Sequence, residues 1–594
     1  MEMRWDLSAL YESFECEAFV SDFNLVAKHI GEIKHWAENN LKTHEHAADK
    51  IELFLKQQIA FDTLFTKLMV YCNLSNSVDA KNETALKYMG KLQVQVSELT
   101  KPSVSFQKWL MKVEDLRSVI QTSDFLKTHQ YYLHEAVKQG KYLLSDEQEV
   151  LYAKMSNTGG KAWTKLQNKL TSTLMIDLEE NGEIKQYPLP VIRNMAYHAN
   201  SEIRKKAYQA ELLAYPKIET AMAACLNGIK GEVITMSQLR NYESPLMQTI
   251  EQSRLDKETI EAMFEAMRES FPKFRSYYKA KAKLLGHEKG LPFYDLFAPV
   301  SQVEQTFSYD EARAFIVTNF GKFSKALADF ADNAFEKHWI DAEPREGKRG
   351  GAFCSNIHPI GESRFLANFD GSFGNVKTLA HELGHGYHGH CLKNESLLNS
   401  HYTMPIAETA SIFCETIVTN AALKDASDEE AFSILEHSIS DAGQVIVDIY
   451  SRFLFESKLF ETRADHELSV EELKEAMLEA QREAYGDGLD QACLHPYMWA
   501  NKPHYYSSGL SFYNFPYAFG LLFAKGVYAE YLKRGEAFIP EYDKLLAATG
   551  KNDIADVAKM VGIDIRQPEF WRASLALVGQ DIDQFIALAE AKHS

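Results

Sequence analysis

Four Ser-x-x-Glu/Gln segments stand at the heads of apolar runs with a 3.6-residue period, and a chain punctuated in this way is committed to a largely helical body. They are Ser145 with Gln148, Ser308 with Glu311, Ser427 with Glu430 and Ser469 with Glu472. In each, the serine hydroxyl can accept from an orphan amide of the first turn while the acid or amide reaches back to the cap. Leu468 and Leu473 are placed as a hydrophobic staple around the last, and Gly486 suits its stop. Phe61, Leu64, Phe65, Leu68, Met69 and Cys72 form one stripe of helical period, and Ile260, Met263, Phe264, Met267 and Phe271 form another. Both predict helices with a buried face. Strand signals are few. Leu174 to Leu178 and Ile184 to Tyr187 flank a Glu-Glu-Asn-Gly turn and read as a hairpin, because Asn-Gly tolerates the positive φ of a type I′ turn. Between 350 and 373, GAFCSNI and RFLANF alternate weakly around HPIGES, which predicts an antiparallel pair just before the next helix. The fold class is therefore mainly α with a small antiparallel sheet. A subdomain boundary is expected near residue 200, with a helical lobe over 1–200 carrying the hairpin and a second region over 201–594.

Charge narrows the partners. Lys and Arg number 64 against 83 Asp and Glu, a formal charge of −19, which argues against the broad basic face that nucleic acid or anionic lipid requires. The opening MEMRWDLSALYESFECEAF lacks a positive n-region and an apolar h-region, so it does not read as a secretory signal, and no 18-residue apolar run suits a membrane span. Seven scattered cysteines without a CxxC pair fit free thiols in a reducing compartment. A cytoplasmic location is expected.

The informative segment is Thr378-Leu379-Ala380-His381-Glu382-Leu383-Gly384-His385-Gly386-Tyr387-His388. On a helix, His381 and His385 project from one face a turn apart and can grip one metal ion, and Glu382 sits beside them, close enough to act on a bound water without being a ligand. Val376 and Leu379 give the approach an apolar side. A catalytic zinc usually takes three protein ligands and leaves a fourth position to water. The metzincin extension would place Gly at 388 and His at 391, but His388 and Cys391 stand there. Downstream, residues 405–415 read as an acid-bearing helix. Glu408, 27 residues beyond His381, is read as the third ligand. Glu415, seven further on and on the same face, is a candidate acceptor for a ligand imidazole N–H.

These residues resemble the thimet oligopeptidase and oligoendopeptidase F family of zinc metallopeptidases, on its oligoendopeptidase F side. The resemblance is carried by GGAFC (350–354), TLAHELGHGYH (378–388), AETAS (407–411) and FYNFPYAFG (512–520), and RWDLSALY (4–11) also looks like that family's opening. It implies one Zn2+ per chain held by His381, His385 and Glu408, with Glu382 as general base and acid. It also implies a mostly helical, two-lobed zincin-type body with a deep cleft that cuts short oligopeptides. A non-catalytic binder on the same scaffold would have no need of Glu382.

Other residues have chemistry suited to the site. Hydrolysis needs donors for an oxyanion, and Tyr513 and Tyr517, four apart, would share a face if a helix begins there with Pro516 in its first turn. They match the family's paired tyrosines, although a run this dense in Phe and Tyr also suits packing. His504 resembles the family's transition-state histidine, but nine residues separate it from Tyr513. Gly351, Ala352 and Phe353 suggest an edge strand to which an extended peptide can add. His388 and His390 read as solvent-facing or supporting groups. Arg345, Lys348 and Arg349 read as a solvated loop, with the option of meeting a peptide carboxylate.

Overall fold

The computed structural model describes residues 2–180, 182–301 and 305–593. Helices dominate, and all four serine caps form with both of their hydrogen bonds, from the hydroxyl to the amide three residues on and from that residue's side chain back to the cap. Leu468 and Leu473 are both buried, and Gly486 follows the last residue of the helix Val470–Tyr485. The two apolar stripes lie on the helices Ala47–Val78 and Lys257–Leu284. The hairpin pairs β1 (Met175–Glu180) with β2 (Glu183–Pro188), with Ile176 and Leu178 buried between exposed neighbours. Asn181 of its turn lies outside the described residues.

The chain divides into two compact units. The first comprises Met1–Tyr142, Gln305–Ala421 and Glu530–Gly562; the second comprises Leu143–Glu304, Ala422–Ala529 and Ile563–Ser594. Residue 200 falls inside a segment of the second unit, so each unit draws on sequence from both sides of it.

The first unit is organised around a three-stranded sheet in the order β3 (Ile340–Asp341), β5 (Glu362–Leu366), β4 (Phe353–Ile357). β4 and β5 are the expected antiparallel pair, with Phe353 opposite Leu366 and Ile357 opposite Glu362. β3 joins in parallel and is too short to have shown a period. The chain's opening braces this sheet. The Met3 carbonyl accepts from the amides of Ala342 and Glu343, and Arg364 Nε donates 2.8 Å to the Asp6 carbonyl. Ile357 continues into the apolar cluster that Phe19, Leu55, Leu68 and Leu126 build among the N-terminal helices.

The expected solvated loop is corrected at two of its three residues. Arg345 grips Asp341 bidentately at 2.7 and 2.8 Å. The Lys348 side chain is fully buried, its ammonium 2.7 Å from Asp341 Oδ1 and donating to the carbonyls of Asp341, Glu343 and Ala367. Burial alone would raise the Asp341 carboxyl, but Arg345 and Lys348 outweigh it and hold the group below its ordinary 3.8. Only Arg349 is exposed.

In the second unit, Lys257–Leu284 packs along Pro568–His593, tied by Arg572 to Glu265 and Glu269 and by the edge-on rings of Tyr277 and Phe585. A fully buried pair, Lys230 with Glu456 at 2.8 Å, also receives Asn514 Nδ2 at 3.0 Å on the second carboxylate oxygen.

Asp341→Ala leaves the Lys348 charge buried without its partner, so unfolding stability should drop by about 3–5 kcal/mol in urea titration. The native Asp341 contribution should be complete above the ordinary carboxylate range and disappear as pH falls through it.

Candidate metal centre

The His-Glu-x-x-His segment lies in the helix Phe373–Leu392, capped by the Ser372 hydroxyl on the Asn375 amide. One turn apart, His381 and His385 face each other with their Nε2 atoms 3.1 Å apart. Glu408 Oε2 lies 3.3 Å from His381 Nε2 and 3.4 Å from His385 Nε2. A tetrahedral zinc with bonds of about 2.0–2.1 Å separates its ligand atoms by about 3.3–3.4 Å, so these three spacings fit one such ion. Among the described residues this is the one group of three or more His, Cys, Asp or Glu ligand atoms so gathered.

The second stretch differs from the expected continuous helix. A short turn, Met404–Ala407, ends at Glu408, and the long helix Thr409–Asp425 starts after it. Glu408 therefore sits at a break, where the Ser411 hydroxyl donates to its Oε2 at 2.7 Å. Glu415 accepts from His381 Nδ1 at 2.5 Å and takes Lys377 Nζ at 3.2 Å on its other oxygen. A proton on Nδ1 leaves the His381 Nε2 lone pair turned toward Glu408 and His385, the tautomer that a metal ligand needs.

Close approach of the two helices depends on Gly384. A Cβ there would lie 2.5 Å from the Ala410 carbonyl oxygen and 2.6 Å from the Ser411 Cα, both rigid backbone. In the sequence, Gly384 stands at an unspecified position of the motif. Its signal was present as a glycine in a helix interior, where it costs about 1 kcal/mol against alanine unless packing requires it.

Glu382 is 6% exposed. Burial raises its carboxyl to about 7, with His381 pulling the other way and the Glu408 and Glu415 charges adding to the rise; a hydrogen bond from the Cys354 amide on β4 opposes it. For His381, burial works downward, but Glu415 and the neighbouring carboxylates overcome it and lift the imidazole to about 8. Burial also acts to raise Glu415, and Lys377 with His381 outweighs it, holding that carboxylate at about 2. β4 is an edge strand of the sheet, and Asn356 Nδ2 in it donates 3.1 Å to the His385 carbonyl. Gly351 and Ala352 precede the strand and Phe353 opens it; Gly351 has φ +79° with open space where a Cβ would stand.

His388 is corrected. It is completely buried, stacked on Tyr402 at 4.0 Å, with Nε2 2.8 Å from the Thr549 hydroxyl. Burial pushes its imidazole down to about 3, so it is a neutral packing residue. His390 is half-buried against Phe330.

In the second unit, the expected aromatic group assembles differently from a single helical face. The helix starts at Phe515, after Asn514, whose side chain accepts from the Phe515 amide at 2.6 Å, so Tyr513 lies before the helix. Its ring still meets Tyr517 edge-on at 5.3 Å and His504 at 5.4 Å. Tyr505 and Tyr506 are buried.

Residues 194–577 match the family model described as peptidase family M3. The chain belongs to that family. Residues 111–175 match the model described as oligopeptidase F. Among curated proteins, this M3 member is 22% identical over 592 residues to oligopeptidase PepF of Bacillus subtilis, covering 98% of this chain and 87% of that one. It is 24% identical over 630 residues to an oligoendopeptidase F homolog of Lactococcus lactis, covering 99% and 98%. Among solved structures, a peptidase from Chlamydophila abortus superposes with a TM-score of 0.86 at 19% identity, covering 98% of each chain. Oligoendopeptidase-F from Enterococcus faecium superposes at 0.70 with 18% identity, covering 97% and 99%. As an M3 peptidase related to oligoendopeptidases F, the chain is a metalloendopeptidase.

Removing the charge on the acceptor behind His381 should loosen a bound metal. Glu415→Gln is expected to lower divalent-metal affinity about 10- to 100-fold in competition with a chromogenic chelator, at unchanged helix content. Gly384→Ala should weaken metal binding as well as thermal stability, because the backbone it meets must move away from Glu408.

Proposed function

We propose that the chain is a zinc-dependent endopeptidase of short oligopeptides, with one Zn2+ per chain held by His381, His385 and Glu408. The observation that carries the reading is the triangle of ligand atoms, 3.1, 3.3 and 3.4 Å on its sides, with the buried Glu382 next in sequence to one ligand. When bound, zinc supplies Lewis acidity that polarises the scissile carbonyl and acidifies a water. Glu382 takes the proton from the attacking water on a carboxylate oxygen and passes it to the leaving amine. A carboxyl lifted by burial to about 7 has the balanced affinity that such a shuttle needs. Glu415 holds the His381 proton on Nδ1 throughout.

Gly351, Ala352 and Phe353 take the peptide backbone at the open edge of β4, where main-chain hydrogen bonds carry little side-chain selectivity. Tyr513, Tyr517 and His504 supply donors to the oxyanion. This assignment is supported by the mutual contacts of the three rings and by the likeness of FYNFPYAFG to the family's paired tyrosines. The reading places the enzyme in the cytoplasm, in keeping with seven free cysteines, and names oligopeptides as its partners.

Glu382→Gln should retain zinc while cleavage of a quenched peptide falls by about 10²–10⁴-fold; near wild-type turnover with metal bound would remove Glu382 from the mechanism. Glu408→Ala should lose zinc and, with it, chelator-sensitive activity. Tyr517→Phe should lower kcat with little change in KM, by up to about 10²–10³ if its hydroxyl is an oxyanion donor.

A further inference from the structure

The second unit contains a cavity of about 200 Å3, walled on one side by the rings of Tyr208, Phe293, Tyr294 and Phe297. The other side is ionic, with Arg193, Glu211, Asp448, His495 and Lys502. Its carboxylates are already paired with cations. Glu211 Oε1 takes Arg193 Nη1 at 2.6 Å and the Tyr215 hydroxyl at 2.7 Å. Asp448 is paired with Arg452 and accepts from the Tyr485 hydroxyl at 3.3 Å.

The donors are not matched in the same way. Arg193 Nη2 faces the Met498 thioether at 3.9 Å, a weak acceptor. His495 Nδ1 accepts from the Tyr497 amide at 3.2 Å, which places the proton on Nε2. That Nε2 is buried and, although 3.3 Å from Glu211 Oε1, makes no hydrogen bond with it. Lys502 Nζ has no hydrogen-bond or ion-pair partner among the described residues. Burial and the nearby Arg452 and Arg193 push its ammonium down to about 7, against the pull of Asp448 and Glu211. Leaving a buried donor unmatched costs about 1–3 kcal/mol, and the buried His495 Nε2, with the Lys502 ammonium and Arg193 Nη2 lining the same cavity, gives it an excess of donors that an acceptor from outside the chain would match.

We propose that this cavity binds a small carboxylate with an apolar or aromatic body, the chemistry shared by a free hydrophobic amino acid and the C-terminal residue of a peptide. The two carboxylate oxygens accept from Lys502, Arg193 and His495, and the body rests against the aromatic wall. A 150 Å3 apolar cavity admits a benzene ring, so the volume here holds a ring with its carboxylate. Tyr197, 61% exposed, also lines the cavity and gives it a face to solvent.

The test is calorimetric titration of the full chain with N-acetylphenylalanine and with its amide, repeated in Glu408→Ala protein so that carboxylate binding at the metal cluster is separated. One mole of the acid should bind per chain in both proteins, with the amide at least tenfold weaker. Lys502→Met should abolish binding without lowering the melting temperature, and Lys502→Arg should restore most of it. Titration of phenylalanine itself and of a phenylalanine-ended hexapeptide in Glu382→Gln protein identifies the source. Binding of the free amino acid marks small acids as ligands, and binding confined to the peptide marks a chain end. Equal binding of acid and amide, binding indifferent to Lys502→Met in a folded protein, or loss of binding in Glu408→Ala would overturn the proposal.

Discussion

The metal cluster depends on a contact in which no side chain takes part, the approach of the helix backbone at Gly384 to the backbone at Ala410 and Ser411. Two helices bearing ordinary side chains keep their axes 8–10 Å apart, and the absent Cβ at this point lets the second stretch come closer. Once it does, elementary helix periods do the rest. Ligands four apart on one segment meet acids seven apart on the other, and the break after Ala407 turns Glu408 inward while the continuing helix carries Glu415 to the far side of His381. The arrangement gathers Glu382, Glu408 and Glu415 around two imidazoles, with Lys377 as the cation bonded to Glu415. With two imidazoles and the Glu408 carboxylate converging on one point, a divalent cation would complete the set.

The sheet supplies the other reference. β4 touches the motif helix through the Cys354 amide on Glu382 and through Asn356 on the His385 carbonyl, so Glu382, the proposed general base, and the turn bearing His385 are registered against the same edge strand that the proposed mechanism uses for substrate. That strand is in turn held by β5, and β5 and β3 by residues 3–6 and by the Asp341 node. The opening of the chain is thus tied by hydrogen bonds to strands more than 330 residues away.

What was legible in the sequence was local. Capping boxes, the hairpin and the antiparallel pair are decided within a few residues, and all of them formed. The imidazole pair was legible because one helical turn suffices to define it, whereas Glu408 and Glu415, read as one helical face, reach His381 from a chain break and from the helix that follows it. Residues whose state depends on distant partners were not. Lys348 sits in a polar, Gly-containing stretch and reads as solvated, yet Asp341 and three carbonyls enclose it. His388 follows the motif by three residues, and its burial is set by Tyr402 and Thr549. The break at Glu408 and the late helix start at Phe515 are likewise tertiary, the latter because Asn514 is drawn to Glu456 and caps the helix.

A common physical criterion marks both the metal cluster and the cavity of the second unit. Buried polar groups in a folded chain are matched almost everywhere, so a place where one kind of group is left in excess records the chemistry that should complete it. At the cluster, two imidazole nitrogens and a carboxylate oxygen lie within 3.4 Å of one another, a set of donor atoms that a cation would satisfy at once. Around Lys502 the imbalance has the opposite sign, with carboxylates already engaged and N–H groups left over. An apolar core could have replaced either set at lower cost to stability, as buried ion pairs generally show. Their retention in a fold otherwise assembled from locally encoded helices therefore points to binding, of a Lewis acid in the first unit and of an anion in the second.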